Sequence, residues 1–158
     1  MMRAFLLLFV CAFCGGCVLG TGAAIGYGKK RGFYAGVSGT VGISAGGVAL
    51  EIGGTGQGAI TQLRLEAEAN RGKFTGWHID ADKPYPAAHA GFGAAYTEHE
   101  WSKAALIGPE ITYAPNTAYC DGIGAPMVYA GIEYRYVAGE SQIVFAPRYE
   151  VVSDFCLR

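Results

Sequence analysis

The chain has 158 residues, a formal net charge of −1, 16% charged residues and 25 glycines. An ordinary soluble domain carries about 25% charged residues and about 7% glycine, so this chain is short of solvating charge and rich in small side chains. It has no basic footprint for nucleic acid, and its length accommodates a single domain.

The start of the chain reads as an export signal. Arg3 precedes the apolar run Ala4 to Phe13, "AFLLLFVCAF", which has the length of a secretory h-region and is too short to span a bilayer as a helix. Residues 1–20 are therefore expected to be a signal peptide. Cys11, Cys14 and Cys17 stand three apart within "LFVCAFCGGCVLG". A zinc, iron–sulfur or thioredoxin-like site would need a polar turn and supporting partners around the thiolates, which an apolar run does not supply. No metal and no cofactor is expected. Gly15, Gly16 and Cys17 instead resemble the bacterial lipobox, which implies a lipidated Cys17 as first mature residue, although Cys14 stands where that pattern has Leu. The other cut, after "VLG" (Val18 to Gly20), suits an ordinary signal peptidase and discards all three cysteines. Residues 21–32 lack a clear alternation and read as a flexible glycine-rich lead.

From residue 33 onward the hydrophobic period is close to two, and no stretch holds a helical stripe. Alternating runs bounded by Gly, Pro, Asn or Asp fall at 33–44, 47–54, 59–69, 73–81, 88–98, 105–115, 126–137 and 141–152. Eight runs with short connections predict an all-β fold, an eight-stranded antiparallel up-and-down barrel over residues 33–158. One face of the runs is apolar and aromatic, as in Val128, Ile132, Tyr134 and Tyr136, or Ile143, Phe145, Tyr149 and Val151. The other is small or charged.

The character of the second face decides which face is inside. A water-exposed surface carries many Lys and Glu, yet here it holds Gly36, Ser38, Gly42, Ala49, Gly91, Gly93, Gly108, Gly131 and Ala146. Arg64, Glu66, Glu68, Glu110, Glu133, Arg135, Arg148 and Glu150 lie at or near run middles, whereas all five lysines lie at run ends or in connections. Arg is the cation that forks to carboxylates in a confined space, so these eight residues are candidates for a charge network inside the barrel. The reverse arrangement, a soluble barrel with the apolar face inward around an apolar ligand, is the alternative. Three features oppose a membrane barrel: Pro109 and Pro147 fall inside runs and remove ladder donors, the chain ends in "FCLR", and the outward connections are short.

Cys120 follows the sixth run and Cys156 the eighth, so in an up-and-down barrel both fall at one rim, where an oxidising compartment would let them pair. His78, His89 and His99 are the titratable groups a hydrolase would use, with Asp80 near His78, but no G-x-S-x-G elbow or H-E-x-x-H helix accompanies them. Glu98, His99 and Glu100 are adjacent and diverge on a strand or turn, so they make no metal cluster. The expectation is a protein without catalytic residues. In architecture, residues 33–152 resemble the small eight-stranded bacterial outer-membrane barrels. That resemblance implies an exported cell-envelope protein with membrane lipid as its surroundings, a structural, adhesive or protective surface role, and an unidentified surface or envelope partner. A lipoprotein with a soluble barrel, and an envelope lipid-modifying enzyme, are the other readings.

Overall fold

In a strand, successive side chains point to opposite faces, so a chain that alternates large apolar residues with small or charged ones sorts them onto two sides of a sheet. The computed structural model describes residues 17–43, 46–70, 84–98, 100–113 and 125–153, and within them all regular structure is strand. The elements are β1 (Cys17–Gly28), β2 (Gly32–Ile43), β3 (Gly46–Thr55), β4 (Gly58–Asn70), β5 (Pro84–Thr97), β6 (Glu100–Tyr113), β7 (Ala125–Val137) and β8 (Glu140–Ser153). Each pairs antiparallel with its neighbours in sequence, and β8 closes on β1 to complete an eight-stranded up-and-down barrel.

The fold class is the one expected, but two strand assignments differ. Residues 21–28, read as a flexible lead, belong to β1, which pairs with β2 from Cys17↔Ile43 to Gly28↔Gly32. The alternation is obscured in the sequence because the inward positions Gly20, Gly22, Ala24, Gly26 and Gly28 are all small, and the outward series Leu19, Thr21, Ala23, Ile25 and Tyr27 includes an alanine and a threonine. The barrel therefore starts before residue 33, at Cys17. The run at 73–81 lies outside the described residues, as do residues 1–16. The run expected at 105–115 begins earlier, at Glu100.

Register sets the barrel's dimensions. Following cross-strand partners from Val18 leads through Gly42, Gly47, Glu66, Gly91, Leu106, Arg135 and Gln142 to Gly28, ten residues farther along β1. Such a stagger tilts the strands by about 35–45° and leaves a lumen just wide enough to be filled by side chains. That interior is packed by pairing large with small. Arg64 faces Gly93 and Glu66 faces Gly91 across β4 and β5, while Arg148 faces Gly22 and Glu150 faces Gly20 across the closing seam. A Cβ on Gly93 would sit 2.8 Å from the Arg64 Cα, and one on Gly20 would sit 2.6 Å from the Glu150 Cγ. The abundance of glycine is thus the spatial counterpart of the interior charges.

The two prolines expected to disturb the ladder do so locally. β6–β7 pairing stops at Ile107↔Tyr134 and resumes at Glu110↔Gly131, around Pro109. β1–β8 pairing stops at Gly22↔Arg148 and resumes at Ile25↔Phe145, around Pro147. On their other sides both prolines stay in register, as Ala88↔Pro109 and Ala130↔Pro147, so each interrupts one seam only.

The two rims differ. The connections 29–31, 56–57, 98–99 and 138–139 share one rim, called here the turn rim. Ala138 (φ 52°) and Gly139 (φ 75°) both take left-handed backbone, which is what a two-residue type I′ hairpin requires. The turns also hold one another. Glu140 accepts hydrogen bonds from the backbone N–H of Lys30 and Arg31, each at 3.0 Å. The Gln57 amide donates to the Lys30 carbonyl at 3.0 Å, and Arg31 pairs with Glu98 at 3.2 Å. The opposite rim carries both ends of the barrel, Cys17 and Ser153, and the strand ends Ile43, Gly46, Asn70, Pro84, Tyr113 and Ala125.

Two glycines test the packing rule. Gly93→Val is expected to destabilise the barrel by about 2–3 kcal/mol by forcing β4 and β5 apart. Gly39 has open space where a Cβ would stand, with no atom within 4 Å, and is expected to accept Ala with a change under about 1 kcal/mol. Urea unfolding of the refolded protein, followed by Trp fluorescence, measures both.

Candidate functional site in the barrel interior

Charges alternate with apolar residues in three short stretches: "RLE" (Arg64 to Glu66), "EYR" (Glu133 to Arg135) and "RYE" (Arg148 to Glu150). The period of two places both charges of each stretch on one face and the intervening Leu65, Tyr134 or Tyr149 on the other. In the structure the charged members point into the lumen and the intervening residues outward, so that Arg135 is 2% exposed while Tyr134 is 54% exposed.

The interior groups form two clusters. Glu51 of β3 is the centre of the first. Its carboxylate accepts from Arg64 Nη2 of β4 at 2.9 Å, from Arg135 Nη1 of β7, and from the Tyr34 hydroxyl of β2. Arg64 also donates through Nε to Glu66 at 2.9 Å and through Nη1 to Gln62 at 2.7 Å. Arg135 donates through Nε to Glu133 at 2.6 Å. His89 of β5 spans the two arms: its Nδ1 lies 3.1 Å from Glu133 Oε1, and its Nε2 lies 3.3 Å from Glu66 Oε2 at ion-pair distance without hydrogen-bond alignment. Because each ring nitrogen faces a carboxylate, only the imidazolium form offers a proton in both directions. In that form the three carboxylates Glu51, Glu66 and Glu133 are balanced by Arg64, Arg135 and His89.

The second cluster lies toward the opposite rim and centres on Arg148. Its guanidinium donates to Glu110 and, at 3.4 Å, to Glu150, and lies 3.9 Å from Glu68. Its Cζ stands 4.8 Å from the centre of the Tyr129 ring, a cation–π distance. Three carboxylates here share one guanidinium, so this end of the described lumen is acidic.

All eight charged residues singled out from the sequence are thus inside, Arg64, Glu66, Glu133 and Arg135 in the first cluster and Glu68, Glu110, Arg148 and Glu150 in the second. Sequence reasoning missed Glu51, Tyr34, Gln62 and His89. Glu51 stands alone in "LEI" (Leu50 to Ile52), with its partners on other strands, and only its position between two outward apolar residues signals it. His89, weighed as a hydrolase group, is 2% exposed and held within the ionic network. Tyr34 and Tyr129 are buried in the lumen. Cys120, Cys156, His78, His99 and Asp80 lie outside the described residues, and Cys17 is the first residue of β1. Among the described residues, no group of three or more His, Cys, Asp or Glu is arranged to hold a metal ion.

The outer wall is the inverse of this interior. Leu19, Phe33, Val37, Leu50, Ile52, Leu63, Leu65, Phe92, Ile107, Ile132, Ile143 and Phe145 are all exposed, Phe92 by 66%. Lys103 is the one charged side chain that the described strands present on this outward face. Aromatic residues gather toward the turn rim: Tyr27, Phe33, Tyr96, Trp101, Tyr134 and Tyr136, with the Tyr96 and Trp101 rings 5.1 Å apart. The soluble-barrel alternative needed the apolar face inside. The structure puts that face outside and lines the lumen with charged and polar groups beside a small apolar cluster around Tyr34, Ile60 and Val144.

Removing one member of a buried ionic cluster strands its partners. Glu51→Gln leaves Arg64 and Arg135 short of a shared carboxylate, and an unfolding free energy lower by about 3–5 kcal/mol is expected in urea titrations. Arg31→Ala removes the pair with the half-exposed Glu98 and should change stability by less than about 1 kcal/mol.

No family model matches the sequence, and no curated protein matches it. Two solved structures are similar in fold. One is described as a de novo designed transmembrane β-barrel, 14% identical over 87% of this chain and 96% of that one, with a TM-score of 0.46. The other is the N-terminal β-barrel domain of Pseudomonas aeruginosa OprF, 12% identical over 87% of this chain and 97% of that one, with a TM-score of 0.48.

Proposed function

We propose that this chain is a non-catalytic outer-membrane barrel of a bacterial cell envelope, with a plugged lumen and a structural, adhesive or protective role at the surface. The observation that carries the reading is the inversion just described: buried Arg and Glu inside, and a wall of exposed Leu, Ile, Val and Phe outside. In water that wall would far exceed the few hundred Å² of contiguous apolar surface that soluble monomers tolerate. Against hydrocarbon it is the favoured arrangement, and closure of the barrel satisfies the strand edges. Strands of 10 to 14 residues match or exceed the ~9–11 residues needed to cross a bilayer. The ionic clusters tie β2, β3, β4, β5 and β7 together across the lumen, which supports a mechanical role over conduction.

Export and processing belong to the same reading. Cys17 to Gly20 pair with Ile43 to Thr40 on one side and Ser153 to Glu150 on the other, and Val18 packs with Met127 and Tyr129. A cut after Gly20 would remove these pairings from both seams of β1. A cut before Cys17 leaves β1 whole, which supports Cys17 as the lipidated first residue. Intact mass of the purified mature protein is expected to begin at Cys17 with added acyl mass; a mass beginning at Thr21 would defeat the lipidation reading.

The membrane reading has its own checks. The folded protein is expected to require detergent or lipid, and a monodisperse protein in plain buffer would defeat it. Ile107 lies at the middle of β6 on the outer wall. Ile107→Lys should lower the stability of the vesicle-inserted barrel by about 2–4 kcal/mol, read from urea midpoints, whereas a soluble barrel would accept the change with little loss.

A further inference from the structure

Lys103 departs from the rule that governs the rest of the outer wall. It follows Trp101 on the outward face of β6 and is exposed. No carboxylate among the described residues pairs with it. Glu98 is engaged by Arg31 at 3.2 Å. Glu140 is turned in onto the backbone N–H of Lys30 and Arg31. Glu100, three residues before Lys103, falls on the other parity of β6. The cross-strand partner of Lys103 on β5 is Ala94, and Ala105 follows it on the same face, so the methylene stem of Lys103 is bordered by small side chains next to the Tyr96 and Trp101 pair.

Position and charge agree on what Lys103 meets. Three residues from the start of β6 is about 10 Å of strand, tilted with the barrel, which keeps Lys103 at the depth of the aromatic residues near the turn rim. A lysine at that level extends its amine toward the headgroup layer. Lys29, Lys30 and Arg31 lie at the same rim, with both lysines exposed, so Lys103 stands near a group of cations at the level where lipid headgroups would lie.

We propose that Lys103, beside the Tyr96–Trp101 pair, is a docking site for the phosphate of a membrane lipid in the leaflet at the turn rim. The site rests on the membrane reading above. The ammonium supplies a charge-assisted donor to a phosphate oxygen, the indole and phenol rings flank the glycerol region, and the small side chains Ala94 and Ala105 leave the lysine open to the lipid.

The test places the full chain in vesicles of phosphatidylcholine mixed with equal parts of phosphatidylglycerol, extracts it gently, and counts retained lipids by native mass spectrometry. Wild type is expected to retain the anionic lipid in preference, Lys103→Gln to lose about fivefold of that preference, and Lys103→Arg to keep it. Lys103→Gln breaks no ion pair with a described carboxylate, and circular dichroism checks that its barrel is intact. Equal retention of the two lipids by wild type, or an unchanged preference in Lys103→Gln, would overturn the site while leaving the membrane barrel standing. A wild-type chain that enters neither these vesicles nor pure phosphatidylcholine would overturn the membrane reading, and the site with it.

Discussion

The carboxylate of Glu51 holds two guanidinium groups that reach it from different parts of the wall, Arg64 from the adjacent strand β4 and Arg135 from β7. An ion of either sign alone in this lumen would carry a large desolvation cost. Once one arginine is inside, a carboxylate must be inside too, and each must find the other across a register fixed by backbone pairing. Every further feature of the interior follows from that requirement: the i, i+2 alternation of opposite charges, the bridging imidazole of His89, and the glycines that make room opposite each long side chain.

How much of this is legible in the sequence depends on whether a signal is local. The "RLE", "EYR" and "RYE" stretches carry partners two residues apart, so period-two reasoning places both inside without knowledge of the fold. Glu51 has no such neighbour, and its role exists only when β3, β4 and β7 are brought together. β1 is hidden for a related reason. A strand whose inward side is nearly all glycine shows no contrast between large polar and large apolar residues, although those glycines are there because Arg148, Glu150 and Glu140 occupy the space on β8. The absence of side chains on β1 records their presence on its neighbour.

The prolines argue in the same way about energetics. Each is expected from the sequence to break a ladder, and each does, but at one seam over two positions, with the other side of the strand still paired. A closed barrel tolerates such gaps because the strand is held from the opposite edge and cannot peel away. The outward placement of Pro109 also keeps the ring clear of the crowded lumen, where Gly108 and Glu110 flank it on the inner face.

The contrast between the rims bears on how such a chain reaches its place. Whichever end of a barrel leads through a bilayer must drag its connections across the hydrocarbon. At the turn rim those connections are two or three residues long and already tied to one another through Glu140, Gln57 and Arg31, so little polar backbone has to cross unpaired. Both ends of the barrel, Cys17 and Ser153, lie at the other rim, which on the proposed membrane reading would stay on the side of entry. On the proposed membrane reading, the same hydrogen bonds that knit four hairpins into a cap would serve as a leading edge for insertion.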